Sequence, residues 1–162
     1  MKNEWNSICN LKLADKKYYL GLIIALVINF ILGLIIIWIA QIMHVDILPI
    51  NNENVKTQMA SIPVLLSVLQ GCIFAPVIEE MTFRYAIIGK PKSKKVLFVL
   101  AVLSIILFDC IHIVKIPEFF YYISTSVVLT FFYAKHRNVI ASIMLHSLIN
   151  IVGYFAFFMG ML

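Results

Sequence analysis

Residues 20–40, LGLIIALVINFILGLIIIWIA, form an apolar stretch that contains no charged side chain. The hydrocarbon core of a bilayer is about 30 Å thick, and a helix of about 20 apolar residues is long enough to cross it. This stretch therefore predicts a membrane-spanning helix, which we place at 18–43. Further apolar stretches predict the spans 61–88, 96–113, 119–134 and 139–162.

The composition of the whole chain is that of a membrane protein. Of its 162 residues, 62% are hydrophobic and 13% are charged, far outside the usage of soluble globular domains. We therefore predict an all-α fold, a polytopic membrane helix bundle of about five transmembrane helices. Residues 1–17 are predicted to be a cytoplasmic tail, and 18–162 a single transmembrane domain. The predicted location is the cell membrane, as a multi-pass protein of the bacterial plasma membrane.

The positive charges indicate topology and not nucleic-acid binding. The net charge is +5, but the basic residues lie beside the apolar stretches and form no polar face. Segments rich in Lys and Arg alternate with poor ones along the chain, which predicts a cytoplasmic N-terminus by the positive-inside rule. The rich segments contain Lys2, Lys12, Lys16, Lys17, Lys90, Lys92, Lys94, Lys95, Lys135 and Arg137.

Ionisable side chains inside the predicted spans are candidates for function, because a charge at the middle of a membrane helix costs about 2.5 to 3.5 kcal/mol on insertion scales. Such polar residues occur in three spans: Glu79, Glu80 and Arg84, then Asp109 and His112, then His146 and Asn150. Single polar residues often serve only to pair helices. We expect that function for Asp109, as a hydrogen bond to a neighbouring helix.

The second span contains two glutamates with different surroundings. Glu80 and Arg84 are four residues apart, which predicts a charge-assisted pair on one helix face. Glu79 points about 100° away from Glu80 and gains no such partner from its own helix. A buried carboxylate of this kind suits a general base near neutral pH. Pro76 lacks an N–H and predicts a kink or opening that admits water.

Two further pairs have the same four-residue spacing. Phe108 and His112 place an aromatic ring and an imidazole on one face of the third span. His146 and Asn150 place two hydrogen-bonding side chains on one face of the fifth span. Together the three spans offer a base, a second group that holds a water, and an oxyanion site.

The ordered spacings Glu-Glu-x-x-x-Arg at 79–84, Phe-x-x-x-His at 108–112 and His-x-x-x-Asn at 146–150 resemble the signature of the CPBP family. This family comprises CAAX proteases and bacteriocin-processing enzymes, the Abi group, and includes type II CAAX prenyl endopeptidases. The three motifs occur in the family's order, each on its own predicted span. The resemblance covers about residues 60–155 and implies that an intramembrane peptidase core lies there.

The resemblance also implies roles for the motif residues. Glu79 would activate the attacking water, His112 would help to hold it, and His146 with Asn150 would stabilise the tetrahedral oxyanion. The remaining motif residues would support the site, namely Glu80, Arg84 and Phe108. The implied chemistry is that of a glutamate peptidase with no metal or other cofactor. Two histidines and a glutamate can also ligate zinc, so a zinc site of Glu79, His112 and His146 stays the alternative.

The implied partners are membrane lipids and a substrate that is a membrane-bound peptide or a lipidated protein, with a bacteriocin or its precursor among the candidates. No nucleic acid is expected. The alternative function is a bacteriocin immunity or self-protection membrane protein of the same family, catalytic or not. A non-catalytic scaffold or transporter subunit is a third hypothesis.

The depth of His112 conflicts with this arrangement if every span is a straight helix. At 1.5 Å per residue, Glu79 lies about 15 Å from the basic flank at Lys90, whereas His112 lies about 26 Å from Lys95. Tilt of a helix removes only about 5 Å of that difference. Either the third span begins outside the bilayer or its neighbours are shifted.

Overall fold

The computed structural model of the chain describes residues 16–49 and 62–159. The helices in this part are α1 (Lys16–Ile42), α2 (Val64–Ile88), α3 (Lys94–Cys110), α4 (Phe119–His136) and α5 (Val139–Phe158). A short 3-10 turn, Ile116–Glu118, precedes α4. Residues 1–15 of the predicted tail and the end of the last predicted span, 160–162, lie outside the described residues.

The described helices form the membrane bundle that the sequence predicts. Three of them are long and apolar enough to cross a membrane, at Tyr18–Ile42, Val64–Ile88 and Val139–Ala156. α3 and α4 are shorter, with 17 and 18 residues. Each helix matches one predicted span, with ends that differ by a few residues. The prediction of an all-α fold is therefore confirmed for the described ranges.

α4 lies between three other helices and packs against α1, α3 and α5. Its side chains Leu129 and Phe132 join Leu22 of α1 and Leu145 of α5 in one buried apolar cluster. α2 completes the bundle by packing against α3 and α5. Large apolar side chains cover the outer faces of α1 and α3, as expected for helix surfaces that face lipid.

The helix ends beside the basic connectors come together at one end of the bundle. The ring of Tyr18 at the start of α1 lies 5.8 Å from that of His136 at the end of α4. Arg137, just after α4, donates from Nη2 to the Gly89 carbonyl, just after α2, at 2.9 Å. The basic connector between α2 and α3 therefore lies on the same side as the basic end of α4, as the predicted alternation of charge requires.

α2 changes its backbone hydrogen-bond register around the two glutamates. The turn Ala75–Glu80 is α-helical, while π-helical segments precede it at Gln70–Phe74 and follow it at Met81–Ile88. π-helical segments are rare and occur frequently at functional sites. The register changes therefore single out the turn that contains Glu79 and Glu80.

Pro76 leaves one backbone carbonyl of the first π-helical segment without a hydrogen-bond partner in its own helix. In that segment the N–H of Ala75 bonds to the carbonyl of Gln70, so the next bond would need an N–H at Pro76 for the carbonyl of Gly71. Proline has no N–H, and this carbonyl needs another donor. Asn150 of α5 supplies it, because Nδ2 donates to the Gly71 carbonyl at 2.8 Å. Neighbouring helices satisfy freed backbone groups of membrane helices in this way.

α3 ends at Cys110, so the predicted span 96–113 is too long and His112 lies in the turn that follows the helix. The N–H of His112 bonds to the Asp109 carbonyl at 2.9 Å. The Phe108 carbonyl, which a continued α-helix would pair with that N–H, is contacted by the imidazole Nδ1 at 2.7 Å. The side chain thus occupies the acceptor that the helix needs in order to continue.

This turn resolves the conflict over depth. Ser104 of α3 donates to the Phe83 carbonyl of α2 at 2.8 Å, which fixes the register of the two antiparallel helices. We count residues from that contact at 1.5 Å each, away from the basic end of the bundle. The backbone of Glu79 then lies about 6 Å beyond the contact, and that of His112 about 12 Å beyond it. The His112 ring folds back and stacks on Phe108, with centroids 4.5 Å apart. The imidazole therefore returns to the level of Glu79.

Gly71 allows α5 to approach α2 closely. A Cβ at this position would lie 2.6 Å from Cζ of Tyr154 on α5. We expect Gly71→Ala to lower the free energy of unfolding by about 1 to 3 kcal/mol, the usual cost of overpacking. Gly153→Ala is the matched control, because nothing lies within 4 Å of a Cβ there, and it should be neutral or stabilising. Denaturant unfolding in micelles measures both, and equal stabilities would contradict the prediction.

Candidate active site

Glu79 of α2, His112 of the turn after α3, and His146 of α5 come together inside the bundle. The Oε2 atom of Glu79 lies 3.7 Å from Nε2 of His112 and 3.7 Å from Nε2 of His146. The three side chains are 18%, 24% and 4% exposed, so the cluster is open on the side of Glu79 and His112. Separations just beyond direct hydrogen-bond range are of the kind that one water molecule bridges.

The backbone of Phe108 sets the tautomer of His112. A carbonyl oxygen can only accept, so the Nδ1 atom that lies 2.7 Å from the Phe108 carbonyl carries a hydrogen. The imidazole and the Phe108 ring are stacked, with an interplanar angle of 30°. In the neutral imidazole, Nε2 is therefore an acceptor, and it faces Glu79.

Glu80 sets the tautomer of His146. Oε1 of Glu80 lies 2.9 Å from Nδ1 of His146, and Oε2 accepts a hydrogen bond from Ser142, one turn earlier on α5. Because this carboxylate acts as an acceptor, Nδ1 of His146 carries a hydrogen and Nε2 faces Glu79. When both imidazoles are neutral, three acceptor atoms therefore converge, and they then require a proton, a water molecule or a cation between them.

Arg84 offsets part of the negative charge beside the site. The predicted pair with Glu80 is formed, with Nε of Arg84 3.4 Å from Oε2 of Glu80 and both side chains fully buried. The guanidinium donates to the Ser126 carbonyl of α4 at 3.3 Å and lies 4.5 Å from the ring centroid of Phe108. Asp109 accepts from Ser126 Oγ at 3.1 Å, the interhelical hydrogen bond expected from the sequence. This network ties α2, α3 and α4 together.

Asn150 lies one turn beyond His146 on the same helix. Its described contact is with the backbone, since Nδ2 donates to the Gly71 carbonyl. An amide nitrogen carries two hydrogens, so this bond uses one and leaves the other for a second acceptor. The structure thus brings Glu79 close to both histidines, and it places Asn150 one turn from His146 with its amide bonded to the backbone of α2.

The sequence motifs do not reveal two further residues at the site. Ser142 donates to Glu80, and the ring of Tyr122 lies 5.2 Å from the imidazole of His112. Ser142 could have been found, because it precedes His146 by four residues and shares its helix face. Tyr122 stands at a span end, where an aromatic belt at the membrane interface is the ordinary explanation.

The atoms that would hold zinc are Oε2 of Glu79 and Nε2 of His112 and His146. Both histidines bond to acceptors through Nδ1, as metal-bound histidines usually do. Ligands at about 2.0 to 2.1 Å from a tetrahedral zinc lie about 3.4 Å apart, which is closer than the 3.7 Å separations here. Within the described ranges, no group of three His, Cys, Asp or Glu is arranged to hold a metal. The donor types suit zinc, and the separations of Glu79 from the two histidines are wider than those in a formed tetrahedral site.

The UPF0177 protein YxdF of Lactococcus lactis is similar to this chain, with 29% identity over 103 residues. The aligned part is 64% of this chain and 56% of that protein, so the chain spans little more than half the length of this relative. No solved structure shows a significant match.

The region that contains the site also matches the model of a known protein family. Residues 61–152, more than half of the chain, match the family described as type II CAAX prenyl endopeptidase Rce1-like, whose members are proteases. This range includes all three motifs, the whole of α2, and α5 as far as Val152. The chain is therefore a membrane protein that belongs to the Rce1-like family of type II CAAX prenyl endopeptidases.

Proposed function

We propose that this chain is an intramembrane endopeptidase in which Glu79 activates a water molecule to hydrolyse a peptide bond. The observation that supports this most directly is the approach of Glu79 Oε2 to Nε2 of both His112 and His146, at 3.7 Å each. Glu79 is also the accessible member of the glutamate pair, because its side chain is 18% exposed while that of Glu80 is fully buried. A general base must reach a water molecule, and Glu79 can do so.

The histidine tautomers suggest how the water is held. The water donates one hydrogen to Oε2 of Glu79 and the other to the lone pair on Nε2 of His112, so its own lone pair points at the substrate carbonyl. Glu79 removes a proton as the water attacks. It then delivers that proton to the leaving amine when the tetrahedral intermediate collapses.

His146 acts on the oxyanion as an imidazolium. Its Nδ1 hydrogen is bonded to Glu80, so Nε2 can donate only when the ring carries a second hydrogen. The buried carboxylate of Glu80 stabilises that positive charge, and Arg84 and Ser142 hold the carboxylate in place. Asn150 contributes its second Nδ2 hydrogen to the same oxyanion.

The substrate is a membrane-associated peptide or a lipidated protein, with a bacteriocin or its precursor as one class. Ile78, beside Glu79, and Ile111, beside His112, are 65% and 61% exposed. An apolar segment or a lipid chain on the substrate would bind such surfaces next to the accessible side of the site. Membrane lipids are the surrounding partners, and no nucleic acid takes part.

The test is a cleavage assay in proteoliposomes. The protein would be incubated with a prenylated CAAX-type peptide, a bacteriocin precursor and an apolar membrane peptide in heavy-oxygen water, and the products identified by mass spectrometry. We expect cleavage at a defined bond, with one heavy oxygen in the new carboxylate. If none of the peptides is cleaved, and both wild type and Glu79→Gln protect cells against a bacteriocin, the protein is instead a non-catalytic immunity protein.

Asn150→Ala is expected to lower kcat by about 10²- to 10³-fold and leave a trace of activity, as the loss of one oxyanion donor does. It should also lower the free energy of unfolding by about 1 to 3 kcal/mol, because the Gly71 carbonyl loses its donor. Tyr154→Phe is the matched control on the same helix, since it removes a 3.4 Å hydrogen bond to the Ser67 carbonyl and touches no reacting group. A stability loss without a kcat loss would limit Asn150 to a structural role.

Chelators are expected to leave turnover unchanged. Glu79 is the general base in this mechanism and is not a metal ligand. Elemental analysis of the purified protein should accordingly find zinc well below one atom per chain. Inactivation by a zinc chelator followed by recovery on adding zinc would show instead that Glu79, His112 and His146 ligate the metal.

A further inference from the structure

Glu118 is a fully buried carboxylate to which the proposed reaction gives no role. It ends the 3-10 turn Ile116–Glu118 and lies immediately before α4, between proline and phenylalanine in the sequence. Burial of a carboxylate in apolar surroundings is costly unless hydrogen bonds compensate it. The contacts of Glu118 therefore indicate what its burial achieves.

The carboxylate of Glu118 closes the loop that follows α3. Its Oε2 accepts from the backbone N–H of Val114 at 2.7 Å, the distance of a charge-assisted hydrogen bond. At the beginning of the loop, the N–H groups of His112 and Ile113 bond to the Asp109 carbonyl at 2.9 and 3.2 Å. The backbone that carries His112 is thus fastened on both sides.

The imidazole of His112 is held between aromatic neighbours. Its centroid lies 4.5 Å from that of Phe108 and 5.2 Å from that of Tyr122. Tyr122 follows Glu118 by four residues, so its ring lies one turn further along α4. Glu118 therefore links the loop backbone to the start of α4, which also supplies the ring beside the imidazole.

We infer that Glu118 is a positioning residue for His112 and acts together with Tyr122 to keep Nε2 of His112 directed at Glu79. The predicted effect on turnover rests on the proposed function, whereas the fixed orientation of the imidazole does not. A His112 ring that rotates no longer presents its lone pair to the attacking water. Catalysis then falls although the catalytic residues are all present.

Paired variants at residue 118 test this inference through activity. Glu118→Ala removes the acceptor, while Glu118→Gln retains an oxygen for the Val114 N–H. We expect Glu118→Ala to lower kcat about 10²-fold with little change in KM, the cost of a misplacement of about 1 Å, and Glu118→Gln to stay within about threefold of wild type. Lys115→Ala, an exposed position in the same loop, is the matched control and should resemble wild type.

Nitrogen NMR of isotope-labelled histidine in micelles provides a measurement that needs no substrate. The His112 signals, assigned with His112→Gln, should show a single Nδ1–H tautomer in wild type, Glu118→Gln and Lys115→Ala. They should broaden or report mixed tautomers in Glu118→Ala. If Glu118→Ala does not fold, Tyr122→Leu tests the joint positioning of His112. This variant removes the aromatic ring beside the imidazole and leaves the loop hydrogen bonds in place.

The outcomes separate this inference from the proposed function. Unchanged His112 signals in folded Glu118→Ala overturn the role of Glu118. Where Glu118→Ala does not fold, unchanged signals in Tyr122→Leu overturn the joint positioning of His112 by Glu118 and Tyr122. A wild-type protein that cleaves no peptide but shows the expected NMR changes contradicts the proposed function and leaves the positioning of His112 standing.

Discussion

Glu79→Gln is expected to lower turnover by about 10²- to 10⁴-fold, the usual contribution of a positioned general base, while the folded protein keeps its stability. Glutamine has nearly the same size as glutamate but cannot take a proton from water. The side chain is partly exposed, so the substitution leaves no buried charge without a partner. Steady-state kinetics in proteoliposomes and denaturant unfolding of the same preparation measure the two quantities.

Two comparisons make the result specific to Glu79. Asp46→Asn alters an exposed carboxylate after α1, keeps an acceptor for the Leu48 N–H, and should retain wild-type turnover. Glu80→Gln should impair both turnover and stability, because Glu80 is buried and bonded to His146. A Glu79→Gln enzyme that keeps more than about a tenth of wild-type turnover would show that another group activates the water.

Spacing along single helices could be predicted from the sequence, because helical geometry fixes which residues share a face. The pair of Glu80 and Arg84 follows from a four-residue interval, and the structure contains it. The side-by-side placement of Phe108 and His112 was also expected from their interval. The structure shows the two rings stacked, although His112 lies beyond the end of the helix. Charge alternation likewise predicted which connectors lie on the same side of the bundle.

Contacts between helices could not be predicted in the same way. Spacing places Ser142 on the same helix face as His146, but it does not reveal the contact of Ser142 with Glu80 on another helix, because 62 positions separate the two residues. The end of α3 at Cys110 depends on a competition between the His112 side chain and its own backbone for one carbonyl, which hydropathy does not register. Apolar composition shows that a segment lies in the membrane, but not where its helix ends.

Arg84→Met is expected to cause the largest loss of stability, about 3 to 5 kcal/mol in the free energy of unfolding, as is usual when one member of a buried ion pair is removed. The substitution leaves the carboxylate of Glu80 buried without its positive partner. It also removes the guanidinium from the Ser126 carbonyl and from the ring of Phe108. Lys94→Met, at an exposed position, is the control and should change stability by less than about 0.5 kcal/mol.

A double variant separates the effect of charge from the effect of shape. If the unpaired charge of Glu80 causes the loss, Glu80→Gln combined with Arg84→Met should be more stable than Arg84→Met alone, because the glutamine carries no charge. Its amide oxygen can still accept from His146, while its NH2 group can donate to the hydroxyl of Ser142. If the lost packing on Phe108 dominates, the double variant should be no more stable than the single one. Arg84→Lys adds a third comparison, since lysine restores the charge without the planar group that lies over the Phe108 ring. Because Glu80 also holds His146, the double variant should recover stability without recovering turnover. This result would separate the role of the Glu80–Arg84 pair in folding from its role in catalysis.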